Sequence, residues 1–399
     1  MREIKKLYVV HPGTQHAFRL VNALASISKS RVIFLSWFTL PCEHFLAKFK
    51  IFRKRVKPIN EYVKTYNFPF FEGCMLTHLK LNGLFNKNTN NPYYYWQILF
   101  GCFLLPIFYF NRKNAILITF ETCGWPLTKY AKKWGIPVIM NFPSISHERA
   151  ESLGIVETEF GKKIKSLERQ KIDYAISCSN FAKNSYQNLT SAKEHFAIWL
   201  GTDFKVKRHQ LGIQRHNSLN IACLANTELR KGIDILLKAF NKIEHTDKKL
   251  YLIGSLNPAW IKKYCKDNEL SLENIILTGP IAQQDLKDFL FKEKIDLHIL
   301  PSRFDSFGMV VPETMALGIP NIVSPYVGSG EMINNEVDGF ITRNLDVQSL
   351  CICIEKFISL NSINRNKLVS NTVEKSTIMT WEKYAGNISN VIGNIIHKF

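Results

Sequence analysis

Asp305 and Glu313 stand eight residues apart in the segment DSFGMVVPE. Carboxylates accept paired hydrogen bonds from neighbouring hydroxyls, such as the diols of a sugar. Between them lies a turn, Ser306-Phe307-Gly308-Met309, and then a helix-competent run, Pro312 to Leu317, stopped by Gly318 and Pro320. A helix start offers unpaired backbone N–H groups and the positive end of a dipole, which makes Phe307, Gly308 and Met309 candidate backbone donors to a diphosphate. A loop that merely caps a core helix would account for Gly308, Gly318 and Pro320. It would not account for two carboxylates where a strand passes into a helix.

Other strand-end loops carry polar groups. Lys231-Gly232 follows the apolar run LNIACLA and precedes a helical pattern. After the first strand, HPGTQHAF supplies Gly13 for a close turn, Thr14 as an N-cap and His16. FETCGWP brings Glu121, and NFPSISHERAE brings His147 and Glu148, expected at the rim of a crevice where they would position an acceptor hydroxyl. The chain contains no Asp-x-Asp pair, an arrangement that holds a metal on a diphosphate, so no metal cofactor is expected.

The elements that must hold these loops are legible as a series. Apolar runs of four to seven residues alternate with helical patterns: KKLYVV, RVIFLSW, AILITF, PVIMNF, DYAISC and HFAIWL, then LNIACL, KLYLIG, NIILTG, DLHILP and PNIVS. This alternation predicts parallel sheets covered by helices on both faces. The series breaks in the polar, basic stretch from Gly201 to Asn217, a linker between two domains. The expected division is two Rossmann-like domains, residues 1–205 and 206–378, which the family resemblance below makes acceptor-binding and nucleotide-sugar-binding respectively. A terminal amphipathic helix, 379–399, would pack back toward the first. Two doubly wound sheets in tandem would face a cleft, with ligands beyond the carboxyl ends of the strands.

Here the chain resembles the retaining GT-B glycosyltransferases with a Glu-x7-Glu signature, the family-4-like glycosyl transferases group 1. Their segment runs Glu-Gly-Phe-Gly…Glu-Ala-Met-Ala-x-Gly-x-Pro, against DSFGMVVPETMALGIP here, with Asp for the first Glu and Thr for the first Ala. The resemblance implies that Asp305 meets the donor sugar and Glu313 the ribose hydroxyls, with the backbone around Ser306 to Met309 beside the sugar and diphosphate. It also implies that Lys231 neutralises the diphosphate and acts with Asp305 and Glu313 in catalysis. The family's arginine position falls on Asn226, leaving Arg230 or Arg303 to supply that charge. Gly279 and Pro280 match the loop near the nucleobase, YVGSGEMI matches a glycine-rich loop, and the Gly13 loop matches one approaching the donor phosphates and acceptor. The implied activity is a metal-independent hexosyl transfer from a UDP- or GDP-sugar. It would proceed by same-face attack, with the leaving diphosphate taking the acceptor proton and no protein nucleophile.

Composition adds the surroundings. Hydrophobic residues make up 46% and charged residues 21% of 399, an ordinary globular balance. Nine cysteines with no Cys-x-x-Cys pair, and an initial apolar run of only four before His11, point to a reducing cytoplasm. Net charge is +19, and residues 1–200 hold 28 Lys+Arg against 12 Asp+Glu, a balance of +16. The stretch 92–111 carries no charge over 20 residues, about the length of a membrane span. Pro106, the tyrosine-rich entry and the need to keep one sheet intact favour insertion into a membrane surface or a buried helix instead. The expected partners are a lipid-linked or glycan acceptor and the anionic inner face of the cytoplasmic membrane, in bacterial surface-polysaccharide synthesis. No zinc-finger, helix-turn-helix or RRM signature supports nucleic-acid binding. A nucleotide-sugar epimerase or hydrolase of the same fold, or an inactive partner subunit, remain the alternatives.

Overall fold

The computed structural model describes residues 6–13, 16–26, 31–49, 52, 55–84, 92–155, 157–205 and 218–398. Thr14 and most of the linker lie outside the described residues. In chain order the first elements are β1 (Lys6–Val10), α1 (Ala17–Ala25), β2 (Arg31–Ser36), β3 (Leu40–Pro41), β4 (Val56–Lys57), β5 (Lys64–Asn67), α2 (Pro69–Leu84) and α3 (Pro92–Asn111). Next come β6 (Ala115–Phe120), α4 (Leu127–Lys133), β7 (Val138–Phe142), α5 (His147–Ser152), α6 (Glu159–Arg169), β8 (Tyr174–Ser177), α7 (Asn180–Asn184) and β9 (Glu194–Ala197). After the linker follow β10 (Leu219–Leu224), α8 (Ile233–Lys242), β11 (Lys248–Ile253), α9 (Pro258–Asp267), β12 (Ile275–Gly279), α10 (Gln283–Lys292) and β13 (Leu297–Leu300). The last are α11 (Val310–Ala316), β14 (Asn321–Val323), β15 (Phe340–Ile341), α12 (Val347–Ile358), α13 (Ser362–Ser376) and α14 (Trp381–His397).

The chain forms two compact units. One comprises Met1–Cys178, Ala182–Ile198 and Glu382–Phe399; the other comprises Ser179–Phe181 and Trp199–Trp381. The first holds a seven-stranded parallel sheet in the order β5-β2-β1-β6-β7-β8-β9, and the second a six-stranded one in the order β12-β11-β10-β13-β14-β15. Ranked along its own sequence, each sheet reads 3-2-1-4-5-6 from its first edge, the order of a doubly wound Rossmann-like sheet. The strand order reverses between β1 and β6 in one unit and between β10 and β13 in the other. Ligand crevices of open α/β sheets lie beyond the strand ends at such reversals.

The reason for this order lies in the side chains. Every residue of β6, β7 and β10 is buried, because helices cover both faces of a parallel sheet. All eleven apolar runs of the sequence are strands. The edge strand β5, with the polar sequence KTYN, and the two-residue β15 complete the sheets.

The uncharged helix α3 belongs to the first unit and leads directly into β6 of its sheet. Phe100, Leu104 and Phe108 on one side of α3 join the core with Tyr8, Val10 and Leu117. A span would have to separate β6 from its neighbour β1, so α3 is half core helix and half exposed surface. The terminal helix α14 buries Tyr384, Ile388, Ile392 and Ile395 on one face and is counted in the first unit from Glu382 onward. Ile392→Ala, which empties a fully buried site, is expected to cost about 2–5 kcal/mol. The check is the urea midpoint of unfolding, and an unchanged midpoint would mean that α14 contributes little to the first unit.

Candidate functional site

In the second unit the loops leaving β10 and β13 meet at the strand-order reversal. Gly232, at the N-cap of α8, has φ +69, and a Cβ there would lie 1.9 Å from the Pro301 carbonyl oxygen. Only glycine lets the Lys231 loop lie this close to the end of β13. The approach delivers Lys231 to Asp305: Nζ donates to Oδ2 at 2.5 Å, and Lys231 is 7% exposed. A largely buried lysine needs such a partner, since an unpaired ammonium away from water is costly.

The Asp305 loop is fixed by its backbone. Asp305 N–H donates to Tyr326 O, Gly328 N–H to Asp305 O, and Ser329 N–H to Phe307 O. These bonds stitch the DSFG turn to the YVGSG loop. Gly308, at φ +84, makes the sharp turn into α11. That helix begins at Val310, two residues before the expected start, and has only seven residues. Its dipole is therefore slight, and the groups suited to an anion belong to the turn. Among the described residues, none of the turn's backbone hydrogen bonds uses Phe307, Gly308 or Met309 N–H as donor.

Glu313 lies in the first turn of α11 and is 8% exposed. Gln283, the first residue of α10, donates through Nε2 to Glu313 Oε1 at 3.0 Å. Burial pushes the Glu313 carboxyl up to about 7, with Asp203 adding to the shift and the Gln283 bond opposing it. The site thus holds a carboxyl poised between its two forms near neutrality. Gln283 was not singled out from the sequence, because nothing in AQQDL marks one glutamine as facing a carboxylate 30 residues later.

The missing arginine has a structural counterpart. Asn226 is exposed, and Arg230, one helical turn on, donates Nη2–H to Asn226 Oδ1 at 3.3 Å while lying over the Phe304 ring. Arg303 is committed elsewhere: it forms a two-pronged pair with Asp234 at 2.7 Å on each side and donates to Leu229 O. It braces the loop that carries Lys231. Gly279 ends β12 with φ +72, and Pro280 follows it, exposed.

The first unit's reversal point gathers His11, Gly13, His16 and Phe120. His11 Nδ1 lies 3.1 Å from Gly13 N and 2.9 Å from Gly13 O, closing the turn after β1. The His11 and His16 rings both pack edgewise on Phe120. Burial, with His11 nearby, drops His16 to about 4, so it is a neutral imidazole at physiological pH. His11, which no motif in the sequence singles out, is the more deeply buried of the two at 4% exposure.

Glu121 and His147 are not at a solvent-facing rim. Glu121 is 4% exposed, accepts a hydrogen bond from Tyr186 Oη at 3.0 Å, and has its carboxyl raised by burial. His147 is 6% exposed at the start of α5, with its imidazole pKa lowered chiefly by burial. His147 Nε2 lies 3.4 Å from Glu148, which pairs with Arg169, while Glu121 Oε1 and His147 Nδ1 are buried with no hydrogen-bond partner among the described residues. Beside them Glu168, fully buried, accepts the N–H groups of Thr122, Gly124 and Trp125 at 2.7–2.8 Å and thereby sets the loop after β6. Burial nevertheless raises its carboxyl to about 8.

The Gly232 contact is open to a direct check. Gly232→Ala is expected to cost on the order of 3 kcal/mol, from about 1–3 for the left-handed backbone and about 1–3 for overpacking. Differential scanning calorimetry reads it, and an unaltered melting temperature would show that the loop can retreat from Pro301 freely.

Residues 205–375 match the family profile described as glycosyl transferases group 1. The O-antigen biosynthesis glycosyltransferase WclY of Escherichia coli is 32% identical over 166 residues, 38% of this chain and 43% of that protein. The chain spans about two-fifths of the length of the first curated relatives it matches. Over nearly its whole length it has the fold of sucrose-phosphate synthase from Thermosynechococcus elongatus, with a TM-score of 0.67 at 15% identity, covering 99% of this chain and 100% of the other. It likewise resembles Anabaena HepE, solved in complex with UDP-glucose, with a TM-score of 0.63 at 16% identity, covering 98% and 100%. By sequence the second unit matches the glycosyl transferases group 1, and by fold the whole chain is similar to two-Rossmann glycosyltransferases.

Proposed function

We propose that the protein transfers a sugar, with retention, from a UDP- or GDP-sugar to a lipid-linked glycan acceptor in surface-polysaccharide synthesis. The observation that carries this reading is the contact of Lys231 with Asp305 beyond the carboxyl ends of β10 and β13, next in sequence to the 307–309 turn, whose N–H groups make none of the turn's backbone hydrogen bonds among the described residues, and to Glu313 in the first turn of α11. The cation and the N–H groups suit a diphosphate, and Glu313 suits a ribose diol. The match of residues 205–375 to glycosyl transferases group 1 supports the transfer, and the UDP-glucose complex of HepE supports the donor class.

In this reading the acceptor oxygen bonds to the anomeric carbon as the bond from that carbon to the diphosphate breaks, and the departing diphosphate takes the acceptor proton. Lys231 stabilises the leaving charge, so no metal is called on. Before the donor arrives Asp305 holds Lys231; afterwards it is released toward the sugar hydroxyls. Arg230, parked on Asn226, supplies the second positive charge. The basic first unit attaches to the anionic cytoplasmic face of the membrane, where the acceptor resides.

Purified protein offered UDP-, GDP- and dTDP-sugars with membrane lipid extract is expected to release nucleotide and label lipid with one of them. Absence of acceptor-dependent transfer with every donor would remove the proposal. Lys231→Met is expected to lower turnover about 100-fold or more, as loss of one transition-state charge partner does, with nucleotide binding largely kept. Wild-type turnover would exclude Lys231 from the chemistry.

Donor affinity is expected to rise with pH. The ribose hydroxyls bind the ionised form of Glu313, and with the carboxyl at about 7 only about a tenth is ionised at pH 6, weakening apparent affinity about tenfold. The sign for stability is opposite: a carboxyl raised from 4.5 favours the ligand-free fold at low pH, and that contribution is lost as pH rises through about 7. Calorimetric titration of UDP between pH 6 and 8 reads the first effect. A flat profile, or a slope retained in Glu313→Gln, would acquit Glu313.

A further inference from the structure

A groove of about 480 Å³ lies between α2 and α3 in the first unit, far along the chain from every donor residue. Its α2 side is Phe70, Gly73, Cys74, Thr77, His78 and Leu81, which at helical spacing share one face, with His78 the one titratable imidazole among them. Its α3 side is Trp96. Where two packed helices ordinarily interdigitate large side chains, α2 presents glycine, cysteine and threonine, so the space between them stays open. A Cβ added at Gly73 would meet nothing within 4 Å. The volume is that of an ordinary small-molecule site, but its lining is almost wholly apolar.

The surface around the groove is apolar too. Along α3, Tyr95, Leu99, Phe103 and Phe110 are 40–80% exposed, and on α2 Phe70, Leu76 and Leu79 are 42–69% exposed. Tyr95, Leu99, Phe103 and Phe110, at spacings of four and seven, share one face of α3, and exposed apolar surface of this kind marks an interaction site. Charge decides the partner. From Phe45 to Lys113 the chain has 11 Lys+Arg and 2 Asp+Glu, and Lys48, Lys64, Lys80 and Lys113 are exposed. Aromatic and aliphatic side chains beside lysines suit the boundary between anionic headgroups and acyl chains. The stretch Pro92–Asn114 has the length and hydropathy to cross a bilayer and is only 33% buried, which the half-core position of α3 reconciles with lying along the surface.

We infer that the α2–α3 groove takes one acyl chain of an anionic membrane lipid, drawn from the bilayer on which this face rests. The inference rests on the membrane-surface reading given above, and adds to it a defined chain-binding site. The occupied groove would hold α3 at a fixed depth, whereas charge alone would leave the protein mobile on the headgroups.

The test uses the full chain with vesicles of phosphatidylglycerol bearing either dibrominated or ordinary stearoyl chains. Bromine quenches nearby indoles, and Trp96→Phe identifies the share due to the groove tryptophan. Wild-type protein is expected to lose fluorescence on brominated vesicles, with the loss at least halved in Trp96→Phe and in Gly73→Phe, whose ring fills the groove. Both variants are expected to co-sediment with vesicles as well as wild type. Equal quenching in wild type and Gly73→Phe with binding intact would overturn the groove and leave surface attachment standing. Failure of wild type to co-sediment would overturn both. If circular dichroism shows Gly73→Phe misfolded, Cys74→Leu fills the same space from the next position. A lipid-free dimer by light scattering that Gly73→Phe dissociates would assign the groove to a second copy and overturn the lipid.

Discussion

The approach of Gly232 to the Pro301 carbonyl is the constraint on which the second unit's site depends. It brings two loops, 74 residues apart at Lys231 and Asp305, within hydrogen-bonding distance. Everything nearby either permits that contact or exploits it. Arg303 with Asp234 braces one loop, the YVGSG backbone braces the other, and the cation and carboxylate then neutralise one another in a poorly hydrated place. A buried ion pair of this kind adds little net stability. Its value is that it holds the lysine in place beside the turn.

The same logic, with opposite chemistry, shapes the first unit. There the loops after β1 and β6 are held by a histidine closing its own turn and by a buried glutamate capping three backbone N–H groups. Several polar groups of these loops are buried, while α2 and α3, which send Phe71, Phe100, Leu104 and Phe108 into the core, leave other apolar side chains exposed. The second unit carries the paired Lys231 and Asp305, and the first carries the exposed apolar side chains of α2 and α3.

Much of this was legible in the sequence, for physical reasons that differ by element. Strands buried on both faces, such as AILITF and LNIACL, read as unbroken apolar runs. KTYN did not, because an edge strand pays no penalty for polar side chains. Asp305 and Glu313 were legible because the turn between them is encoded within one short segment. Gln283, Asp234 and Glu168 were not, since each acts on a partner 30 to 69 residues away that only folding brings near. Glu121 was read as exposed because a polar residue after a strand gives no sign of a tyrosine 65 positions later that will bury it. The groove escaped notice for a related reason: small residues at Gly73, Cys74 and Thr77 look like ordinary packing until the opposite helix fails to fill the space.

Glu168 shapes the loop after β6 through backbone N–H groups alone. The Trp125 side chain takes no part in those bonds, whereas Thr122 holds a left-handed backbone at φ +75 with its hydroxyl 3.9 Å from Cys123 Sγ, and Gly124, whose Cβ would lie 2.8 Å from Thr128 Cγ2, leaves little room for a side chain. Such a division separates inheritance of shape from inheritance of surface. What position 125 displays is therefore open to change by a substitution that leaves the sheet beneath it folded, whereas positions 122 and 124 are not.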